Sequence, residues 1–146
     1  MERAHALPDE AEEAVHRARE LREALHDIFS AVVNGKTAPP HVVDALNTSL
    51  HDAAVHSRLV QRDGPWELRF NDVTSSFNAM LKPIVRAAGN LLISGEVELV
   101  RTCSSPTCQW FFLDTSKNHH RRWCSMKLCG NRAKVRKFYT RKKKAE

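Results

Sequence analysis

Residues 103–138, CSSPTCQWFFLDTSKNHHRRWCSMKLCGNRAKVRKF, contain all four cysteines of the 146-residue chain. Cys103 and Cys108 are separated by four residues, as are Cys124 and Cys129, and fifteen residues lie between the two pairs. Two such pairs are typical of knuckles that together hold one tetrahedral ion. Four soft sulfur ligands favour zinc and leave no coordination position for a reactive water. The spacing therefore predicts one structural Zn²⁺ per chain.

Two alternatives to a metal site are open from the sequence. The thiols could form two disulfides, or they could be free thiols that are paired only in sequence. Disulfides are rare in the cytosol, and the first residues, MERAHALPDEAEEA, lack the apolar core of a signal peptide, which favours the zinc site. His119 and His120 could replace a cysteine ligand, but they follow turn-forming residues and four thiolates suffice. We interpret both histidines as loop residues.

The segments around the cysteines predict a treble-clef-like order of knuckle, β-hairpin, knuckle and basic helix. Apolar residues 110–113, turn-forming residues 114–118 and residues 121–123 suggest a hairpin between the two cysteine pairs. A helix is expected after Cys129, with Gly130 allowing the backbone to pass close to a ligand sulfur. Because this unit has few apolar residues, zinc binding, at roughly 10–16 kcal/mol, must provide most of its stability.

Charge is divided unevenly between the two parts of the chain. Residues 1–100 contain 10 Lys and Arg against 15 Asp and Glu, whereas residues 101–146 contain 13 against 2, so the net charges are −5 and +11. The composition changes between Gly95 and Arg101, and we predict two domains, residues 1–98 and 99–146. The basic part favours a polyanionic partner such as nucleic acid.

The first domain should be helical. Asp9 is a candidate N-cap of a helix that ends at Asn34-Gly35, and the loop KTAPP, residues 36–40, should lead into a second helix that starts with proline. SRLVQRDGPWELRF, residues 57–70, indicates a short β-hairpin, and a third helical pattern runs from Val73 to Gly95 with a kink at Pro83. The predicted fold is mainly α with a small amount of β. Its expected core comprises Leu21, Leu25, Ile28, Phe29, Val43, Leu46, Leu81 and Ile84.

Residues 1–100 contain no recognisable catalytic motif. There is no cysteine, no Gly-rich phosphate loop, no serine elbow and no HExxH pair, and the spacing of the six histidines does not indicate a metal site. We therefore predict no catalytic residues and no enzyme activity. No run approaches the roughly 18 apolar residues needed to span a bilayer, so we expect a cytoplasmic protein with no membrane partner.

The motifs FLDTSKN, RRWCSM and CGNRAKVR, at residues 112–118, 121–126 and 129–136, stand in the order found in one bacterial family. This part of the chain resembles the CGNR zinc finger of bacterial proteins that carry an N-terminal ABATE domain. The helical part, including PWELRF at residues 65–70, is similar to the later portion of an ABATE domain. The resemblance implies a stress-induced transcription regulator whose finger binds DNA.

The basic residues of the finger point to the same partner by their chemistry. With few carboxylates to neutralise them, they suit a duplex phosphate backbone, and the protein would then be associated with the nucleoid. Asn131, Arg132 and Arg136 could also meet base edges. The predicted nucleic-acid-binding residues are Arg121, Arg122, Lys127, Asn131, Arg132, Lys134, Arg136, Lys137 and Arg141. The charge leaves two rivals open, an RNA- or ribosome-binding protein and a zinc-scaffolded protein-interaction module.

The sequence departs from the family at its N-terminus, because relatives usually begin with a further segment of tens of residues. Either the ABATE domain is shortened here or the native start lies upstream. If the further segment covers apolar surface in relatives, the helices of this chain should expose a groove that a homodimer would bury. A small-molecule effector between the helices stays an open alternative. The target sequence, the inducing signal and the choice between activation and repression are not encoded in any recognisable motif.

Overall fold

The computed structural model describes residues 7–61, 63–70 and 78–143. Its helices are α1 (Pro8–Val33), α2 (Pro40–Val55), α3 (Lys82–Ile93) and α4 (Asn131–Lys143). Its strands are β1 (Ser57–Val60), β2 (Glu67–Phe70), β3 (Val100–Thr102) and β4 (Phe111–Leu113), which form two separate antiparallel pairs. Short 3₁₀ turns span Asn78–Leu81 and Gly95–Leu99, and a π turn spans Met126–Gly130. The predicted fold class, mainly α with small β-hairpins, is confirmed.

The first helix ends as predicted but begins differently. Pro8 is its first residue and Leu7 is the N-cap, so Asp9 does not cap the helix. Asp9 lies in the first turn, where its negative charge interacts favourably with the unpaired N–H groups of the helix N-terminus. At the other end Gly35 has a φ of 61°. The N–H of Lys36 donates to Ala31 O (2.9 Å) and that of Gly35 to Val32 O (3.1 Å). This is a Schellman cap, which favours glycine at the left-handed position.

Helix α2 starts at Pro40, as predicted, and leads directly into the first hairpin. Strands β1 and β2 pair from Ser57 opposite Phe70 to Val60 opposite Glu67. The predicted hairpin is therefore confirmed. Phe70 is half-buried and packs against the helical core, while Trp66 lies just before β2 and is 66% exposed.

The third helix is shorter than its sequence pattern suggested. Val73, at the predicted start, lies outside the described residues. Pro83 does not kink a helix but lies in the first turn of α3, where the missing N–H removes no intrahelical hydrogen bond. The helix ends at Ile93, and Ser94 separates it from Gly95. Ser94 Oγ donates a hydrogen bond to Leu91 O (2.9 Å).

The core between α1, α2 and α3 uses one face of each helix. Its buried members are Leu21, Ala24, Ile28, Val42, Leu46, Ala53 and Val85. Leu25 and Leu81 are half-buried and pack against this cluster. Two predicted core residues are wrong by one position, since Val43 is 37% and Ile84 is 51% exposed while Val42 and Val85 are buried. Adjacent valines or isoleucines fit an apolar stripe equally well in sequence, and only the packing of the helices distinguishes them.

A cleft of about 440 Å³ lies between α1, α2 and the start of α3. Its wall includes Lys82, whose side chain is 9% exposed and whose Nζ lies 3.8 Å from Asp52 Oδ2. A small-molecule effector in this cleft and a homodimer through the helical face both stay predictions. Among the described helices, none is both long and apolar enough to cross a membrane.

Candidate metal centre and nucleic-acid interface

The first cysteine pair is positioned by the second hairpin. Strand β3 pairs with β4 from Val100 opposite Leu113 to Thr102 opposite Phe111, so the hairpin encloses Cys103 and Cys108. Cys103 N–H donates to Trp110 O (3.0 Å), and Cys108 N–H donates to Ser105 O (2.9 Å) in a tight turn. The strand predicted at residues 121–123 is wrong, because β4 pairs with residues before the first cysteine rather than with residues before the third.

The second cysteine pair lies at the start of the basic helix. Ser125 caps the turn between them, since its Oγ accepts from Leu128 N (3.3 Å) and its carbonyl from Gly130 N (3.1 Å). The predicted close approach at Gly130 is real but involves another sulfur. A methyl group at position 130 would overlap Met126 Sδ and lie 3.2 Å from Trp123 Cδ1.

The four sulfur atoms converge on one point. All lie within 4.8 Å of one another, and two of the contacts, Cys108 to Cys124 and Cys124 to Cys129, are 3.7 Å. Four sulfurs bound to one zinc ion at about 2.3 Å in a tetrahedron lie about 3.8 Å apart. The cysteines are free, and 3.7 Å is far too long for a disulfide of about 2.05 Å. The cysteines are thus positioned to hold one structural zinc ion.

The thiols differ in how readily they lose a proton. Burial opposes ionisation of Cys103, but backbone hydrogen bonds from Cys124 and Ser105 outweigh it and lower its pKa to about 7. Burial, together with the neighbouring thiol groups, raises the pKa of Cys124 to about 12 and also raises that of Cys129. A divalent ion must therefore displace protons from these thiols, so its binding releases protons.

Asp114 organises the loop between β4 and the second cysteine pair. The residue is 0% exposed. Its Oδ1 accepts from Ser116 N (3.1 Å) and from Ser116 Oγ (2.5 Å), and its Oδ2 accepts from Arg121 N (3.0 Å). The hydrogen bonds from Ser116 are the largest cause of a pKa below the ordinary value of 3.8. His119 Nδ1 lies 2.9 Å from Asp114 O, which agrees with its interpretation as a loop residue.

Arg121, predicted to bind nucleic acid, also supports the loop. Its guanidinium donates to Trp123 O (2.9 Å) and to Cys124 O, and lies 4.7 Å from the centre of the Phe112 ring. Arg121 therefore holds the backbone at the third cysteine as well as contributing charge. Arg122 lies over the Trp123 ring at 5.2 Å.

All nine predicted nucleic-acid-binding residues are exposed, but they do not form one surface. Lys127, Asn131, Arg132 and Arg136 line one shallow cleft of about 460 Å³ together with Leu128 and Val135. Arg136 and Lys137 line a second cleft beside Trp123. Helical spacing places Lys134 and Arg141 away from Arg132 and Arg136. The structure thus groups four of the predicted residues near the metal centre. Their contact with nucleic acid stays a prediction.

Models of two known protein families match this chain, one in each of its two parts. The model of the CGNR zinc finger matches residues 100–142. The ABATE model, described as "Putative stress-induced transcription regulator", matches residues 1–95, which is well over half of the chain. The chain belongs to the ABATE family. No curated protein sequence matches it. The boundary predicted between residues 98 and 99 falls between the two matched ranges and stays a prediction.

The ABATE domain contacts the finger through α1. The Phe111 ring of β4 lies 5.3 Å from the His26 ring and 6.1 Å from the Phe29 ring, centre to centre. Asp114 N–H also donates to Leu99 O (2.9 Å), which joins the buried loop to the last turn before the finger. Phe29, predicted as part of the helical core, is half-buried, lies outside the core cluster and contacts the finger.

Proposed function

We propose that this protein regulates transcription by binding duplex DNA through its zinc finger. The charge of the finger surface is the observation that supports this most strongly. Between Val100 and Lys143 the only carboxylate side chain is Asp114, which is fully buried, so the described finger exposes basic side chains and no acidic one. A surface of this kind attracts a polyanion and releases its condensed counterions on binding.

The residues around the cleft at the start of α4 are the proposed main contacts. Arg132 and Arg136 are one helical turn apart on the same side of α4, and Lys127 lies on the adjoining π turn. Their cations would bind phosphates. Asn131 donates through Nδ2 to Lys127 O (3.1 Å), which leaves its Oδ1 free to accept a hydrogen bond from a base edge.

Zinc has a structural role in this proposal. Cys129 lies in the turn that opens α4, so an ion held by the four cysteines would fix the direction of the helix and the position of Arg132 relative to the rest of the finger. A sphere closed by four thiolates leaves no site for a metal-bound water. We therefore assign zinc no catalytic function, and the protein no enzyme activity. A DNA-binding role places the protein in the cytoplasm, at the nucleoid.

Salt dependence tests the proposal directly. Zinc-loaded full-length protein is titrated against a fluorescent duplex of about 20 base pairs at several salt concentrations. The slope of log affinity against log salt should be about −0.9 for each neutralised phosphate. In the double variant Arg132→Ala/Arg136→Ala the slope should flatten by about two units, whereas the matched double variant Lys142→Ala/Lys143→Ala should change it less.

Competition with structured RNA and the salt response separate the rivals. The DNA proposal fails if a hairpin RNA displaces the duplex at far lower concentration than unlabelled duplex does. It also fails if the Arg132/Arg136 double variant binds with wild-type affinity and slope. A protein-interaction module would instead show no salt-dependent binding to either nucleic acid.

A further inference from the structure

Trp110 is an exposed aromatic side chain on an ordered part of the finger. Its side chain is on the surface, with 74% of the residue exposed, although its carbonyl is held by Cys103 N–H at 3.0 Å. The indole is thus presented to solvent from a backbone position held by a hydrogen bond from Cys103. The proposed phosphate contacts do not use it.

The indole forms one wall of a cleft beside the metal centre. This cleft has a volume of about 620 Å³ and is continuous with the metal centre, because Cys108, Cys124 and Cys129 form its floor or wall. Gln109, Leu128 and Arg132 contribute other parts of its lining. Leu128, on the second cysteine turn, is 60% exposed. Arg132 and Leu128 also belong to the adjoining cleft with Lys127, Asn131 and Arg136. An apolar, partly aromatic recess therefore adjoins the proposed phosphate-binding residues.

We propose that this recess binds one unstacked nucleobase of the bound DNA, with the base ring on the indole of Trp110. The inference rests on the proposed function and adds a mode of recognition to it. Every base has a π face, so an aromatic ring is a general platform for an unpaired base. Gln109 offers an amide donor and acceptor, and Arg132 offers donors, for the edge of the base.

Charge decides between a nucleobase and an acidic peptide as the occupant. Gln109 and Trp110 are uncharged. Arg132 lines both the recess and the adjoining cleft at the start of α4, and Lys127 and Arg136 line that adjoining cleft. A nucleotide matches this division, because its base is flat and neutral while its phosphate is anionic. An acidic peptide would place its carboxylates on the cations and leave the indole without a flat partner.

Two duplexes that differ by one unpaired base test the inference. Zinc-loaded full-length protein is titrated with a fully paired duplex of about 20 base pairs and with the same duplex carrying one central unpaired adenine. The wild type should bind the second duplex about tenfold more tightly. Trp110→Ala should abolish this preference, and Trp110→Phe should keep part of it. Trp66→Phe, which changes another exposed tryptophan outside the finger, should keep all of it.

Leu128→Ala changes another residue that lines the recess and provides a second test. It should reduce the preference even if Trp110→Ala weakens zinc binding. Equal affinity of the wild type for both duplexes overturns the inference and leaves the proposed DNA binding intact. So does a Trp110→Ala variant, with full zinc content, that still prefers the unpaired base. Failure of the wild type to bind either duplex contradicts the proposed function itself.

Discussion

The ABATE domain and the zinc finger reach an ordered structure by different means. In the helical domain, aliphatic side chains such as Ile28, Leu46 and Val85 are buried against one another. In the finger, from Val100 to Lys143, the one buried aliphatic side chain is Val100, in β3 before the first cysteine. The other buried residues there are Cys103, Ser105, Asp114, Cys129 and Gly130. Apolar burial can stabilise the first part, whereas the second depends on its metal and a few polar contacts.

This difference affects how each part can change. A domain held by apolar packing loses stability gradually as methyl groups are removed. A unit held by one ion loses its fold in a single step when a ligand is removed, and its surface is free to carry charge because almost none of it is needed for a core. The exposed basic residues of α4 are consistent with that freedom.

Removing one zinc ligand should have the largest effect. Cys124→Ser should lower zinc affinity by several orders of magnitude, because about 10–16 kcal/mol of binding free energy stabilises such a unit. Zinc content by metal analysis should fall from one per chain to near zero, and NMR signals of residues from about 103 onward should lose dispersion. The helical signal of the ABATE domain should persist. Thr107→Ser, an exposed change in the same finger, serves as the control.

A pair of neighbouring valines tests the helical core. Val42 is 6% and Val43 is 37% exposed, although the chemical change to alanine is the same for both. Val42→Ala should lower the free energy of unfolding by about 2 kcal/mol, because two methyl groups leave a packed site. Val43→Ala should cost clearly less. Urea unfolding followed by circular dichroism measures both, and equal losses would contradict the assigned core.

Replacing the buried carboxylate should affect the finger alone. Asp114→Asn places an amide N–H₂ against the backbone donors of Ser116 or Arg121, and should weaken zinc binding about tenfold. Chelator competition at neutral pH measures this change. Because folding lowers the pKa of Asp114, its ionised carboxylate stabilises the loop fully at pH values above the ordinary pKa of 3.8. This stabilisation is lost as the pH falls through the lowered pKa. Unchanged zinc affinity would show that the network is dispensable.

Gly130→Ala should have the smallest effect. The new methyl group must displace Met126, a flexible side chain, and press on the Trp123 ring, so we expect a loss of roughly 1 kcal/mol in finger stability. Gly95→Ala is the matched control, because no atom lies within 4 Å of the methyl group it would introduce. If both variants bind zinc equally well, the finger tolerates a methyl group at position 130 and the close approach to Met126 and Trp123 does not require glycine.

The two regions also differed in what their sequence could predict. The cysteine spacing predicted the metal centre and the start of α4, because thiolate ligands have a strict geometric requirement. The partner of β4 was missed, since Val100–Thr102 has only three residues and the turn-forming residues 114–118 favoured a partner strand after β4. The role of Asp114 was missed as well, because an aspartate in a turn is usually exposed, and its burial depends on Ser116 and Arg121 together.

The most direct test of zinc-dependent DNA binding is the DNA affinity of the full-length chain as zinc is restored. Protein is stripped of metal, shown by circular dichroism to retain its ABATE helices, and titrated with zinc in the presence of a fluorescent duplex at constant salt. We predict that DNA binding appears in proportion to added zinc and saturates at one ion per chain. Metal-free protein that binds the duplex as tightly as the zinc-loaded form would contradict this prediction.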